Sequence, residues 1–200
     1  MKRWAMVIDL TKCNGCYTCV MACKMRNGTP KGVFWNRVLE REEGEFPNVT
    51  RTFLPVLCNH CKEPPCVEVC PTGASFQRAD GIVNIEADKC IGCRYCTMAC
   101  PYEARVFVDK IEPYYPAGLT PFEEVKYANF QEGTVTKCNF CVERVDQGLD
   151  PFCVAMCPTA ARTFGDLNDP ESAVSLLVGR KQGKPLLPEA GTGPCVFYIK

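Results

Sequence analysis

The chain has 200 residues, enough for one compact unit or two small modules. Its 23 acidic and 23 basic residues cancel, so the charge carries no nucleic-acid signal, and no apolar run is long enough to cross a bilayer. Seventeen cysteines stand against one histidine; the number is odd, neighbours are mostly only three apart and no signal peptide opens the chain, all of which argue against a disulfide framework.

Residues 5–10, AMVIDL, read as a short strand leading into the first cysteine run, CNGCYTCVMAC, with Cys13, Cys16, Cys19 and Cys23. Lys24 follows it where the later runs have proline. Residues 27–32 are turn-rich. Residues 33–40 and 49–57 read as strands, with REEGEFPN reversing the chain between them. Phe34 and Trp35 are assigned to packing in the core or at an interface. The second run, CNHCKEPPCVEVCP, holds Cys58, Cys61, Cys66 and Cys70; Pro64 and Pro65 force a rigid excursion in its middle. His60 lies between two cysteines that already serve as ligands, so it is expected on the surface or supporting a ligand rather than being one.

Asp80-Gly81 is a turn signal, and residues 82–85 alternate as a strand that feeds the third run, CIGCRYCTMACP. Cys90, Cys93, Cys96 and Cys100 stand at C-x2-C-x2-C-x3-C spacing with Pro101 after the last, the bacterial ferredoxin spacing for [4Fe–4S] clusters. Three cysteines two residues apart wrap a tight loop around one cubane. Gly15 and Gly92 hold matching positions where such a loop bends close to its cluster. Cys96 and Cys100, four apart, share one face of a helical turn that carries Cys100 away to a second cluster. Residues 104–108 read as another strand, so runs two and three form a repeat with the internal symmetry of a two-cluster ferredoxin.

Residues 109–137 contain no cysteine and read as an inserted loop. Its aromatics (Tyr114, Tyr115, Phe122, Tyr127, Phe130) favour a docking surface over a plain solvated connection. The fourth run is split: Cys138 and Cys141, then Cys153 and Cys157 before Pro158, with a helical turn expected in VERVDQG. Residues 163–165 end this unit. A helix is expected from an Asp169 cap with Pro170 at its first position to about residue 181, followed by an extended tail. Cys195 falls outside every run and reads as a free structural thiol.

Four groups of four cysteines supply the ligands of four [4Fe–4S] clusters. Zinc needs only paired C-x2-C motifs, and four-cysteine runs closed by Cys-Pro go beyond that need. Cluster and thiolate charge would make the loaded protein acidic, offset in part by Lys24, Lys62, Lys89, Arg94 and Lys137 beside the cysteines. The fold class expected is α+β: two ferredoxin-like two-cluster modules with short strands, short helices and much irregular loop. Residues 1–51 with 109–168 form an outer module, 52–108 an inner one, and 169–200 a C-terminal helix and tail.

AMVIDL with the first run, CNHCKEPPCVEVCPTGA, KCIGCRYCTMACPYEAR, KCNFCVER, CPTAARTFGDLNDPES and PEAGTGPCVFYI together resemble, nearly end to end, the iron–sulfur subunits of the dimethyl sulfoxide reductase family of molybdopterin oxidoreductases. The resemblance implies how ligands are shared. Cys13, Cys16 and Cys19 would share a cluster with Cys157, and Cys138, Cys141 and Cys153 one with Cys23. Cys58, Cys61 and Cys66 would hold one with Cys100, and Cys90, Cys93 and Cys96 one with Cys70.

The resemblance also implies a non-catalytic electron-transfer subunit. Its partners would be a large catalytic subunit carrying molybdenum or tungsten bis-pterin and a quinone-reactive membrane subunit or soluble donor, with no nucleic acid and no membrane span of its own. It allows the periplasmic side, by co-export on the catalytic subunit's twin-arginine signal, or the cytoplasm. No phosphate-cradling glycine loop and no nucleophile–base pair is evident. A free-standing poly-ferredoxin and a zinc-stabilised interaction module are the competing readings.

Overall fold

A computed structural model describes all residues from Met1 to Lys200. In chain order the elements are β1 (Trp4–Asp9), α1 (Thr18–Asn27), β2 (Asn36–Glu43), β3 (Thr50–Leu57), α2 (Pro65–Glu68), β4 (Ser75–Gln77), β5 (Val83–Ile85), α3 (Tyr95–Met98), β6 (Arg105–Val108), α4 (Pro121–Tyr127), β7 (Thr134–Lys137), α5 (Val142–Val145), α6 (Phe152–Ala155), β8 (Arg162–Asp166), α7 (Ala173–Arg180), β9 (Lys184–Pro185) and β10 (Val196–Ile199).

β1 is apolar without alternation because both its faces are covered. Met6 and Ile8 enter the main core among Cys19, Cys58, Cys138 and Cys153, while Ala5 and Val7 pack with Val174 of α7 and Ile199 of β10. The strand order β8-β1-β10-β9 sets β1 antiparallel to β8 and parallel to β10. Residues 169–200 are therefore no appendage. The last strand fills the slot beside the first, so this sheet joins the outer cysteine runs to the tail.

The remaining strands form three hairpins, β2–β3, β4–β5 and β6–β7. The strands of the first reach Glu43 and start again at Thr50, so its turn is shorter than the 41–48 stretch suggests. Only its root is buried (Asn36, Pro55, Val56, Leu57), which suits the charged REE segment to an arm wetted on both sides.

The cysteine-free stretch 109–137 departs from the expected loop: it contains α4 and β7. Thr120, Pro121 and Glu123 build a complete capping box with proline at the first helical position. The Glu123 carboxylate accepts the N–H groups of Thr120 and Tyr114, which, with the Thr120 hydroxyl, hold its pKa down to about 2. β7 closes the excursion by pairing with β6 from Val108↔Thr134 to Arg105↔Lys137. Thr134 and Val135 are buried there, as β-branched residues on a pleated face favour. Of the five aromatics, Tyr127 is buried and Phe130 packs on Trp35 at 5.9 Å, leaving Tyr114, Tyr115 and Phe122 exposed.

α7 starts later than expected. Ser172, not Asp169, is its cap, accepting from Ser175 N–H at 3.1 Å and donating to the Asp166 carbonyl at 2.6 Å. Asp169 instead closes a turn by accepting from Glu171 N–H at 2.9 Å. The tie from Ser172 to β8 selects between two good capping residues.

Candidate metal centres

All four cysteine runs share one local construction. The residue before the second cysteine has positive φ each time: Gly15 (+70°), His60 (+43°), Gly92 (+67°) and Phe140 (+54°). That bend closes the loop tightly enough to wrap a bound group. The third cysteine then occupies the second position of a helix, in α1, α2, α3 and α6. The fourth follows four residues on, one turn along the same face. After Cys70, Cys100 and Cys157 proline ends the turn; after Cys23, Lys24 lets α1 continue to Asn27. The Lys24 ammonium is tied to the carbonyls of Thr29, Pro30 and Val33.

Gly92 is needed twice over. Its φ is left-handed, and a Cβ would run into the Gly133 carbonyl oxygen, which is backbone and cannot swing away. Gly92→Ala is expected to cost well over ~1 kcal/mol. A thermal-melting comparison that found no loss would show that the loop is not held in this conformation.

His60 is fully buried, which excludes the surface and leaves the other expected place, in support of the neighbouring cysteines. Its ring stacks on Phe140 at 3.7 Å between centroids, and Val83 N–H donates to Nδ1 at 3.1 Å. Burial, then the Lys137 cation, hold its pKa well below the usual range, so the ring is neutral. Runs one and three place glycine at this bend; runs two and four place aromatic rings that stack on each other in the core.

The fold gathers the sixteen cysteines of the runs into four quartets. Cys13, Cys16, Cys19 and Cys157 line one cavity, Cys58, Cys61, Cys66 and Cys100 a second, and Cys70, Cys90, Cys93 and Cys96 a third. These cavities are of similar size. Cys23, Cys138, Cys141 and Cys153 are neighbours, with Cys138 and Cys153 in the main core. In each quartet, three cysteines of one run meet the fourth of another. No group of three or more His, Cys, Asp or Glu closes around a single ion. Zinc would draw four sulfurs to about 2.3 Å from one centre, so thiols spread around a cavity fit a multi-iron cluster better. Cys195 stays outside, buried, with Arg3 Nε donating to its sulfur at 3.0 Å.

Burial pushes the inner thiols up, Cys61 to about 12 and Cys153 to about 11. Bound to iron these sulfurs would be thiolates, the metal's charge taking the place of the proton. Cys70 and Cys157 behave oppositely. Burial raises both, but the Thr72 or Thr159 side chain of each Cys-Pro-Thr segment and N–H donors (Ser75 at 3.4 Å, Ala161 at 3.3 Å) outweigh it and hold them below the usual thiol range.

The cations beside the cysteines divide. Lys89 pairs with Glu86, and Arg94 lies over the Phe107 ring at 3.5 Å. Lys137 is buried among sulfurs, as are Arg105 and Arg162, neither of which stands out in the sequence as a cation beside a cysteine. Their signal is the repeated Cys-Pro-x-x-Ala-Arg of CPYEAR and CPTAAR.

The pattern of the 4Fe-4S dicluster domain matches residues 49–114 and 117–167, and a second pattern of the same description matches 12–74. The chain is 42% identical to the arsenate respiratory reductase iron–sulfur subunit of Shewanella sp. (strain ANA-3), over 99% of this chain and 96% of that one. It is 44% identical to a subunit of the selenate reductase of Mesobacillus selenatarsenatis, over 98% and 72%. A subunit of the tetrathionate reductase of Salmonella typhimurium is 42% identical, over 98% and 72%.

Proposed function

Since the chain belongs to the iron–sulfur subunits of the dimethyl sulfoxide reductase family, whose 4Fe-4S dicluster domains it carries, we propose that it is the electron wire of a molybdopterin-dependent complex, holding four [4Fe–4S] clusters, one per cysteine quartet. When bound, each cluster takes up and releases one electron at a potential set by its surroundings. The protein's part is to hold the clusters in a row and keep water from the middle ones. It has no catalytic role of its own.

The observation that carries this reading is the order of burial. Cys16 and Cys93 are exposed, one in the quartet with Cys157 and one in the quartet with Cys70. In the quartets with Cys23 and Cys100 no cysteine is exposed. Cys138 of the first inner quartet neighbours Cys58 of the second. The row thus has two accessible ends and a buried middle, as a conductor between two partners requires. Exposed apolar side chains flank each end, Tyr17, Met21 and Met25 at one, Ile91, Tyr95 and Met98 at the other. Such side chains suit docking against other subunits. One end would face the catalytic subunit with its molybdenum or tungsten bis-pterin, the other a quinone-reactive membrane subunit or a soluble donor.

The division into modules is part of the proposal. Residues 1–51 with 109–168 hold the quartets completed by Cys157 and Cys23, and residues 52–108 those completed by Cys100 and Cys70. The test is metal analysis of protein purified without oxygen together with its natural partners. The expected result is about sixteen irons per copy of this chain and molybdenum or tungsten on a large co-purifying chain. Iron on a lone chain would replace the proposal with a mobile poly-ferredoxin, and zinc in place of iron would overturn both.

A further inference from the structure

The structure buries three cations among the sulfurs, and each sits between two quartets. Arg105 Nη2 donates to Cys66 Sγ at 3.0 Å, and Cys96 of the neighbouring quartet is its other close thiol. Arg162 Nη1 lies 3.6 Å from Cys153 Sγ, and its guanidinium neighbours Cys19 of the adjoining quartet. In both cases the arginine meets the third cysteine of two different runs. Both follow their own fourth cysteine by five residues and open a strand, β6 or β8. The strand fixes the direction from which each side chain reaches back. One neutral acceptor anchors each: Ser75 Oγ for Arg105 at 2.7 Å, Asn36 Oδ1 for Arg162 at 3.1 Å. Lys137 completes the set. Its ammonium donates to the Val83 carbonyl and, at 2.8 Å, to the Cys138 carbonyl, with Cys58 and Cys138 as neighbouring thiols. Those two cysteines belong to the two inner quartets.

None of the three ends in a carboxylate. Arg105, Arg162 and Lys137 are 6%, 5% and 3% exposed, and none takes part in a salt bridge. A buried cation without a counter-charge is costly. The Arg105 Nε also has no partner within the chain. Anions on both sides of each side chain would repay that cost, and thiolate-ligated iron–sulfur clusters are anions. The inference therefore rests on the four-cluster reading.

We propose that Arg162, Lys137 and Arg105 are positioning residues for charge, one at each of the three gaps between consecutive clusters, and that each raises the potentials of the two clusters it separates. Reduction adds negative charge to a cluster, and a fixed cation in a dry, low-dielectric gap favours the reduced form on both sides. Placed between rather than beside clusters, one cation levels a neighbouring pair, so that no single step of the row is strongly uphill.

The test is an EPR-monitored redox titration of the natively purified complex carrying Arg105→Gln, with signals assigned to quartets by single cysteine-to-serine variants. The expected result is unchanged iron, with the clusters of the quartets containing Cys100 and Cys70 shifted down by at least tenfold in their reduction equilibria, about 59 mV for one electron. The cluster of the quartet containing Cys157 stays in place, and Arg105→Lys recovers most of the shift. Intact iron with no downward shift, or a shift confined to one cluster, overturns the proposal. Fewer than four clusters in the unsubstituted protein would instead overturn the four-cluster reading. Should Arg105→Gln lose iron, Arg162→Gln and Lys137→Gln put the same question to the other gaps. A paired downward shift at either supports the proposal; no shift at both, or loss of iron from all three variants, reduces these cations to a structural role.

Discussion

Cys100→Ser is expected to disturb the cluster of the second run, while Cys96→Ser, four residues earlier on the same turn, disturbs the cluster of its own run. The physical reason is the helical turn that α3 begins. It sets the two sulfurs on one face but about 6 Å apart along the axis. Cys96 stays in the cavity with Cys90 and Cys93, and Cys100 reaches the one lined by Cys58, Cys61 and Cys66. Serine is a poor substitute for a thiolate on iron, so each variant should lose or strongly shift one EPR signal and keep the rest. Loss of the same signal in both variants would rule out the crossed arrangement of ligands. The other runs supply the same pair of experiments, with Cys19 and Cys23, Cys66 and Cys70, or Cys153 and Cys157.

Val196→Asp, at the start of β10, is expected to prevent stable folding of the cluster-bearing core. Val196 is fully buried opposite Met6, in a strand held between β1 and β9. The substitution removes about 2 kcal/mol of burial and places an unpaired carboxylate where its desolvation costs several more. The sum approaches the ~5–15 kcal/mol that stabilises a whole domain. Iron per chain and melting temperature of the purified complex measure it. Val196→Ala serves as the milder control, at about 2 kcal/mol. Normal iron and an unchanged melting temperature in Val196→Asp would mean that β10 is dispensable to the core.

Much of the fold is readable in the sequence where the signal is local. Strand β1, hairpin β2–β3, strand β5 and the turn in VERVDQG lie within a few residues of their expected places, since each depends on patterning over a short window. The misreadings share a different cause. Residues 109–137 read as a loop because a cysteine-free stretch interrupts a cysteine repeat, although Thr120-Pro-Phe-Glu123 carries a helix-start signature. β7 exists because β6 supplies its partner, which no window around TVTK contains. The chemistry of His60 alone allows either the surface or a place supporting a ligand. Its place is decided by Phe140, eighty residues away, whose ring it meets in the core.

The order of amino acids alone carries the inventory: four runs of cysteine at spacings that bend a loop and start a helix, the Cys-Pro exits, and the family to which they belong. Those features act over three or four residues, so the backbone enforces them wherever the run sits. Adjacency, by contrast, is a property of the folded core. The family resemblance implies which runs pair, but only in the core does the last strand lie beside the first and do Arg105, Lys137 and Arg162 come to lie between quartets. These depend on burial and on partners far away in the chain, where the energy of a contact belongs to the assembled core rather than to the residues that carry it.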